Sequence, residues 1–164
     1  MEFEEYASAR GQELVRLGFT ICGDYQRAED LAQIALMQAF RSWRKVQRAD
    51  DPHTYVRRIL VNSYLSMTRR RSFTEAPAAD LDPDHTVPDP ANDIVASDDL
   101  WRALATLSAR ERVVLVLRYY QDLDDRTIAE LLGIKPSSVR SLASRALGTL
   151  RKARESHRVD ERLP

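Results

Sequence analysis

A single cysteine, Cys22, stands among 164 residues, which leaves neither an internal disulfide nor a cysteine-rich zinc site. Five glycines and the absence of alternating apolar and polar runs argue against sheet. No apolar stretch approaches the length of a membrane span. Met1 to Tyr6 carry three glutamates where a secretory signal would need apolar residues, so a cytoplasmic chain without membrane contact is expected. The three histidines, His53, His85 and His157, are scattered, and neither a metal nor a cofactor is expected. Also missing are a Gly-x-Ser-x-Gly turn, a phosphate-binding glycine loop and a His-Glu-x-x-His sequence, so the chain does not read as an enzyme with a small-molecule substrate.

What is present is a 43% hydrophobic chain whose formal net charge of zero hides a partition. Residues 1 to 71 hold 12 basic and 9 acidic side chains, residues 72 to 99 hold 8 acidic and none basic, and residues 100 to 164 hold 13 basic and 8 acidic. Two basic modules flank an acidic connector. Four of the seven prolines (Pro77, Pro83, Pro88, Pro90) fall in that connector with few large apolar groups, so residues 72–92 are expected to form an extended linker.

The first module shows three helical patterns. One runs from Phe3 to about Ile21 and is ended by Gly23. Asp24 is placed to cap the second, where Ala28, Leu31, Ala35, Leu36, Ala39, Phe40 and Trp43 recur at three and four as an apolar stripe. Asp51-Pro52 opens the third, with Val56, Ile59, Leu60, Ser63 and Met67 along one side and Arg69-Arg70-Arg71 at its end. Basic last turns also suit the helix dipole, so the arginines alone leave a structural reading open. Interleaved Tyr55, Asn62 and Tyr64 favour nucleic acid, because aromatic faces and an amide engage an unstacked base.

The second module opens near Ile94 with Leu100, Trp101 and Leu104, followed by a capping box over Ser108 to Glu111. Its most specific feature lies at residues 128–142. Ala129 is the small residue where two helices cross, Gly133 supplies a turn with positive φ, and Pro136 opens the second helix without losing a hydrogen bond. Ile128, Leu132, Ile134, Val139 and Leu142 would fill the wedge of a helix-turn-helix. The remaining positions, Ser137, Ser138, Arg140, Ser141, Ser144 and Arg145, suit a helix lying in a major groove. An ordinary pair of packed helices with solvated serines and arginines is the plainer alternative.

Taken together, Ala28-Glu29-Asp30-Leu31-Ala32-Gln33, Tyr55 to Asn62, Arg69-Arg70-Arg71, Leu107 to Arg112 and the helix-turn-helix resemble the extracytoplasmic-function RNA polymerase sigma factors of the sigma-70 family, above all the actinobacterial sigma-E-like group. The resemblance implies an all-α chain of two small helical domains. A region 2 bundle of three or four helices would span 1–71, the acidic linker 72–92, a region 4 helix-turn-helix bundle 93–155, and a charged tail 156–164. It implies bacterial core RNA polymerase and promoter DNA as partners, and sigma factors of this type often have an anti-sigma factor as well. Asp30, Leu31, Gln33, Ile34 and Met37 would dock on the polymerase. Arg48, Asp50, Tyr55, Arg58, Asn62, Arg69 and Arg70 would engage the −10 element. Lys135, Ser137, Ser138, Arg140, Ser141, Ser144 and Arg145 would engage the −35 element. The chain departs from the family pattern at Ile34, usually acidic, at Tyr55, usually tryptophan, and at Ser66, commonly aspartate. A helix-turn-helix regulator acting without polymerase is the second reading, and it gives the Asp30/Gln33 helix no role.

Overall fold

The computed structural model describes residues 1–74 and 98–161, and its regular elements over those residues are all helical. The chain divides into two compact units, Met1–His85 and Thr86–Pro164. Residues 72–74 are the last residues of a helix, and the rest of the expected linker, 75–92, lies outside the described residues. Among the described residues no helix is long and apolar enough to cross a membrane.

The first unit is built from α1 (Phe3–Cys22), α2 (Tyr25–Arg41), α3 (Trp43–Gln47) and α4 (Pro52–Thr74). Gly23 ends α1 at φ 74°, its N–H returning to Phe19 O, and Asp24 caps α2 by accepting from the backbone N–H groups of Gln26 and Arg27. The buried face of α2 is unusually small-sided: Ala28, Ala32, Ala35 and Ala39 are all at most 3% exposed. Short side chains let neighbouring helix axes approach closely. A Cβ on Gly18 would lie 3.2 Å from Ala28 Cα, so α1 and α2 cross where neither side chain holds them apart. The large core residues come from the other helices, Leu14, Leu17 and Ile21 on α1 and Val56, Leu60 and Val61 on α4, with Leu31 the one long buried side chain of α2.

The second helix stops at Arg41, because Ser42 leaves helical geometry at φ −116° and ψ 24°, so Trp43 begins α3 instead of extending the α2 stripe. Phe40, read as core, is 59% exposed. On α4 the buried stripe is Val56, Leu60, Val61, Tyr64 and Leu65, while Ile59, Ser63 and Met67 turn to another face.

The second unit contains α5 (Asp98–Ala105), α6 (Ala109–Leu115) with a π-helical turn continuing it over Val116–Tyr120, α7 (Asp125–Leu132) and α8 (Pro136–Glu161). Ser108 Oγ accepts from Glu111 N–H at 3.2 Å. Arg112, 8% exposed, donates from Nη1 to Leu104 O at 3.1 Å, which ties α6 to α5. Asp124 caps α7 through Thr127 N–H at 2.8 Å, and Gly133 ends it at φ 66°. The wedge between α7 and α8 is filled by Ile128, Leu131, Val139, Leu142, Ala143 and Ala146. Leu131 takes the inner position expected of Leu132, which is half-buried, as is Ile134. Pro136 opens α8, which continues past the expected end near Ala153 as far as Glu161.

Candidate nucleic-acid interface

The outward face of α4 forms one wall of a groove of about 630 Å3. Tyr55, Arg58, Ile59, Asn62, Ser63, Ser66, Met67 and Arg70 line it from α4, with Ile34 and Gln38 from α2 and Lys45 from α3 opposite. Ile34, Ile59 and Met67 supply apolar contact, Asn62 an amide that both donates and accepts, and Lys45, Arg58 and Arg70 positive charge. No carboxylate is among the lining residues. A nucleobase with its phosphate asks for that combination: a surface to lie on, a hydrogen-bonding edge and cations for the backbone.

Four of the residues expected to meet the −10 element, Tyr55, Arg58, Asn62 and Arg70, are therefore brought to one groove, and Ile34, expected to face polymerase, lines it too. Arg48 and Asp50 lie exposed on the segment between α3 and α4, and Arg69 is exposed at the far end of α4, all three outside the groove lining. Lys45, Ile59, Ser63 and Met67 were not singled out as site residues. For Ile59 and Met67 the signal was the second apolar stripe of α4, which the periodicity merged with the core stripe; Lys45, on α3, and Ser63 left no such mark.

The outer face of α2 carries Asp30, Gln33 and Met37, all exposed, and Phe40 continues it by one turn. Leu31 does not belong to this face. At 1% exposure it packs inside the unit and offers no surface to a partner, which corrects its assignment to polymerase contact. The Phe40 ring meets the Phe3 ring edge-on at 5.0 Å, and Phe3 in turn meets Trp43 at 5.5 Å, so the exposed aromatic sits on a packed aromatic base.

Behind the first turn of α4 lies a polar cluster that no sequence pattern pointed to. Tyr6 O–H lies 2.8 Å from His53 Nδ1, and His53 Nε2 lies 3.3 Å from Glu13 Oε2. Asp51 accepts from the N–H groups of His53 and Thr54, and Arg57 Nη2 donates to Thr54 Oγ1 at 2.7 Å. Burial alone would raise the Asp51 carboxyl, but the hydrogen bonds from Thr54, with the Arg57 charge, hold it below the usual carboxylate range. Burial, and then the charges of Arg57 and Arg10, hold His53 below the ordinary histidine value. Burial also pushes the Tyr6 phenol upward, out of any physiological titration.

On the second unit, Val139, Leu142, Ala143 and Ala146 face inward, which leaves Lys135, Ser137, Arg140, Ser141, Ser144 and Arg145 exposed along the start of α8. Ser138, half-buried, donates its backbone N–H to Lys135 O. Arg140 Nη1 lies 4.0 Å from Asp125 Oδ2, and Arg118 Nη2 lies 3.6 Å from Asp125 Oδ1, so one carboxylate on α7 stands between two guanidinium groups. Further cations, Arg151, Lys152, Arg154 and Arg158, continue exposed along α8. Such a helix offers phosphate contacts beside a short-sided face able to enter a groove.

Comparison with known proteins gives the same division. The sigma-70 region 2 family model matches residues 7–74 and the sigma-70 region 4 model residues 97–150. The chain is 32% identical over 162 residues to the RNA polymerase sigma-E factor of Streptomyces avermitilis, covering 99% of this chain and 90% of that one. It is 30% identical to the ECF RNA polymerase sigma factor SigE of Mycolicibacterium smegmatis, covering 94% of this chain and 62% of that one. Among solved structures it is similar in fold to the sigma factor RpoE of Bartonella quintana, which was crystallised with the anti-sigma factor NepR. There the TM-score is 0.71 and the identity 20%, over 93% of this chain and 96% of that one. The helix-turn-helix alone would fit many DNA-binding proteins, but joined to a region 2 bundle and to relatives that match nearly the whole of this chain it places the chain in the family of extracytoplasmic-function RNA polymerase sigma factors.

Proposed function

We propose that this chain directs bacterial core RNA polymerase to promoters by dividing three tasks among three surfaces. The exposed face of α2, Asp30, Gln33, Met37 and Phe40, docks on the polymerase. The groove of α4 takes a base and phosphate of the opened −10 strand, with Asn62 on the base edge, Tyr55 beside it and Arg58 and Arg70 on the backbone. The start of α8 reads the −35 duplex through Arg140, Ser141, Ser144 and Arg145, with Lys135, Ser137 and Ser138 at its leading end. A duplex is read by a helix in its major groove, whereas melted DNA is read by pocketing exposed bases. The two domains are then residues 1–74 and 98–155, joined by the acidic segment, with the charged end of α8 beyond them.

The observation that supports this reading best is the α4 groove. It combines cations, an amide and apolar surface, and a regulator that binds only duplex DNA gives it no task. The protein is an initiation factor, not a catalyst, and its place of work is the cytoplasm. An anti-sigma factor would silence it by covering the α2 face or the groove.

Polymerase docking is tested by measuring binding of labelled protein to purified core. With Asp30→Ala or Phe40→Ala the dissociation constant for core is expected to rise about tenfold, the size of one interface anchor. Affinity for a −35 duplex should stay as in the unsubstituted protein. Unchanged core binding in both variants would remove α2 as the docking face.

A further inference from the structure

One side chain of α1 grips both flanks of the segment that carries Arg48 and Asp50. Tyr6 is 3% exposed. Its ring lies 5.3 Å from the Trp43 ring on α3 and 6.0 Å from the His53 ring in the first turn of α4, and its hydroxyl meets His53 Nδ1 at 2.8 Å. Residues 48–51 run between these two anchors. The α3 side is held again by Met1 O, which accepts from Trp43 Nε1 at 3.3 Å and Gln47 Nε2 at 2.6 Å. The α4 side is held by the Asp51 cap and by Arg57 on Thr54. A segment with both ends fixed in this way has little freedom left when DNA arrives, and a preorganised site loses less entropy on binding.

The partners also fix the proton on His53. The Glu13 carboxylate beside Nε2 favours a ring proton there, which leaves Nδ1 to accept from the Tyr6 hydroxyl. A second proton would make Nδ1–H the donor and the Tyr6 hydroxyl oxygen the acceptor, and would put a charge on the buried ring beside Arg57, which holds Thr54. The charges around the ring are Arg10 and Glu13 from α1 and Asp51 and Arg57 from α4. The two arginines oppose the added charge and the two carboxylates favour it, and with burial the balance lies against it.

We propose that Tyr6 and His53 are positioning residues for promoter opening: neutral His53, held between Tyr6 and Glu13, keeps residues 48–51 and the first turn of α4 in the shape that captures the opened strand, and a proton on His53 releases that hold. This rests on the reading of α4 as the −10 surface. The sign follows from a folded value below the unfolded one. The hold is complete above the ordinary histidine value of about 6.5 and is lost as pH falls through the lowered folded value.

The test uses the full chain with core polymerase and compares open-complex formation on a duplex promoter with binding to the same promoter already unpaired at −10. Tyr6→Phe keeps the ring and loses the donor. It should slow opening of the duplex and weaken binding to the unpaired template by the same factor of about 5 to 10, the range of one hydrogen bond, while affinity for core polymerase stays within twofold. His53→Asn keeps an acceptor near Nδ1 and cannot take a proton in this range. It should open near the wild-type rate at neutral pH and keep that rate into acid, where the wild type loses it. An equal loss of core binding in Tyr6→Phe would mean that Tyr6 only supports the fold, and the proposal would fall. A wild-type acid profile in His53→Asn, or wild-type opening by Tyr6→Phe, would overturn it as well. If the wild-type protein supports no transcription at all, the −10 reading falls and takes this proposal with it, an outcome separate from the other three.

Discussion

With Arg140 and Arg145 both replaced by alanine, affinity for a −35 duplex should fall between about 30-fold and about 25,000-fold, since each guanidinium on a base edge or phosphate is worth roughly 1–3 kcal/mol. Both side chains stand on the exposed side of α8, and the inward positions Val139, Leu142 and Ala146 are already packed, so no other large donors replace them along this stretch. Arg140 begins from a contact with Asp125 at 4.0 Å, but its side chain is 60% exposed. An ion pair so open to solvent contributes less than about 1 kcal/mol, too little to cancel a groove contact. Whatever share of the loss comes from phosphates should also flatten the salt dependence by about one unit of slope per contact. Fluorescence anisotropy of a labelled duplex across a salt series checks both. A double variant that binds within threefold of wild type would exclude α8 as the reading helix.

The second large effect is expected in the α4 groove. Arg58→Ala together with Asn62→Ala removes a cation and the only side-chain amide that α4 contributes to the lining. Open-complex formation should drop about 30-fold or more, as two lost contacts of roughly 1–3 kcal/mol each imply. The loss should persist on a template already unpaired at −10, because these groups would touch the strand itself. The −35 duplex affinity, carried by the second unit, should not move. Permanganate footprinting of unpaired thymines reads the opening step. A loss confined to −35 binding would reverse the assignment of the two units.

These expectations rest on features that differ in how far the sequence disclosed them. The helix-turn-helix was legible because its constraints are local: Gly133 must take positive φ, Pro136 must open a helix, and both do. Even there the period slipped by one at Leu131. Along α6 the 3.6 period is interrupted by the π-helical turn Val116–Tyr120, which leaves Tyr119 59% exposed. A wider turn adds a residue without a compositional mark, so no window average reveals it. On α4, apolar residues occupy two faces, and which stripe was core depended on where α1 and α2 lie. The stripe through Ile59 and Met67 became the groove, and the stripe through Leu60 and Tyr64 became the core.

What the sequence withheld most completely is long-range. Tyr6 and His53 are 47 positions apart, and each alone reads as an unremarkable helix residue. Phe40 fitted the apolar repeat of α2, yet the helix ends at Arg41 and turns that ring outward against Phe3. The alanine face of α2 made this possible. With Ala28, Ala32, Ala35 and Ala39 inside, the helix needs no aromatic residue for its packing, and its large side chains become available for the surface.

The most direct measurement is run-off transcription with purified bacterial core RNA polymerase, with and without this protein, on fragments of the genome that encodes it. Discrete start sites that appear only with the protein, and disappear with Arg58→Ala/Asn62→Ala, are the expected result. A protein that shifts −35 duplex but neither binds core nor starts a transcript would contradict the division of docking, opening and reading among α2, α4 and α8.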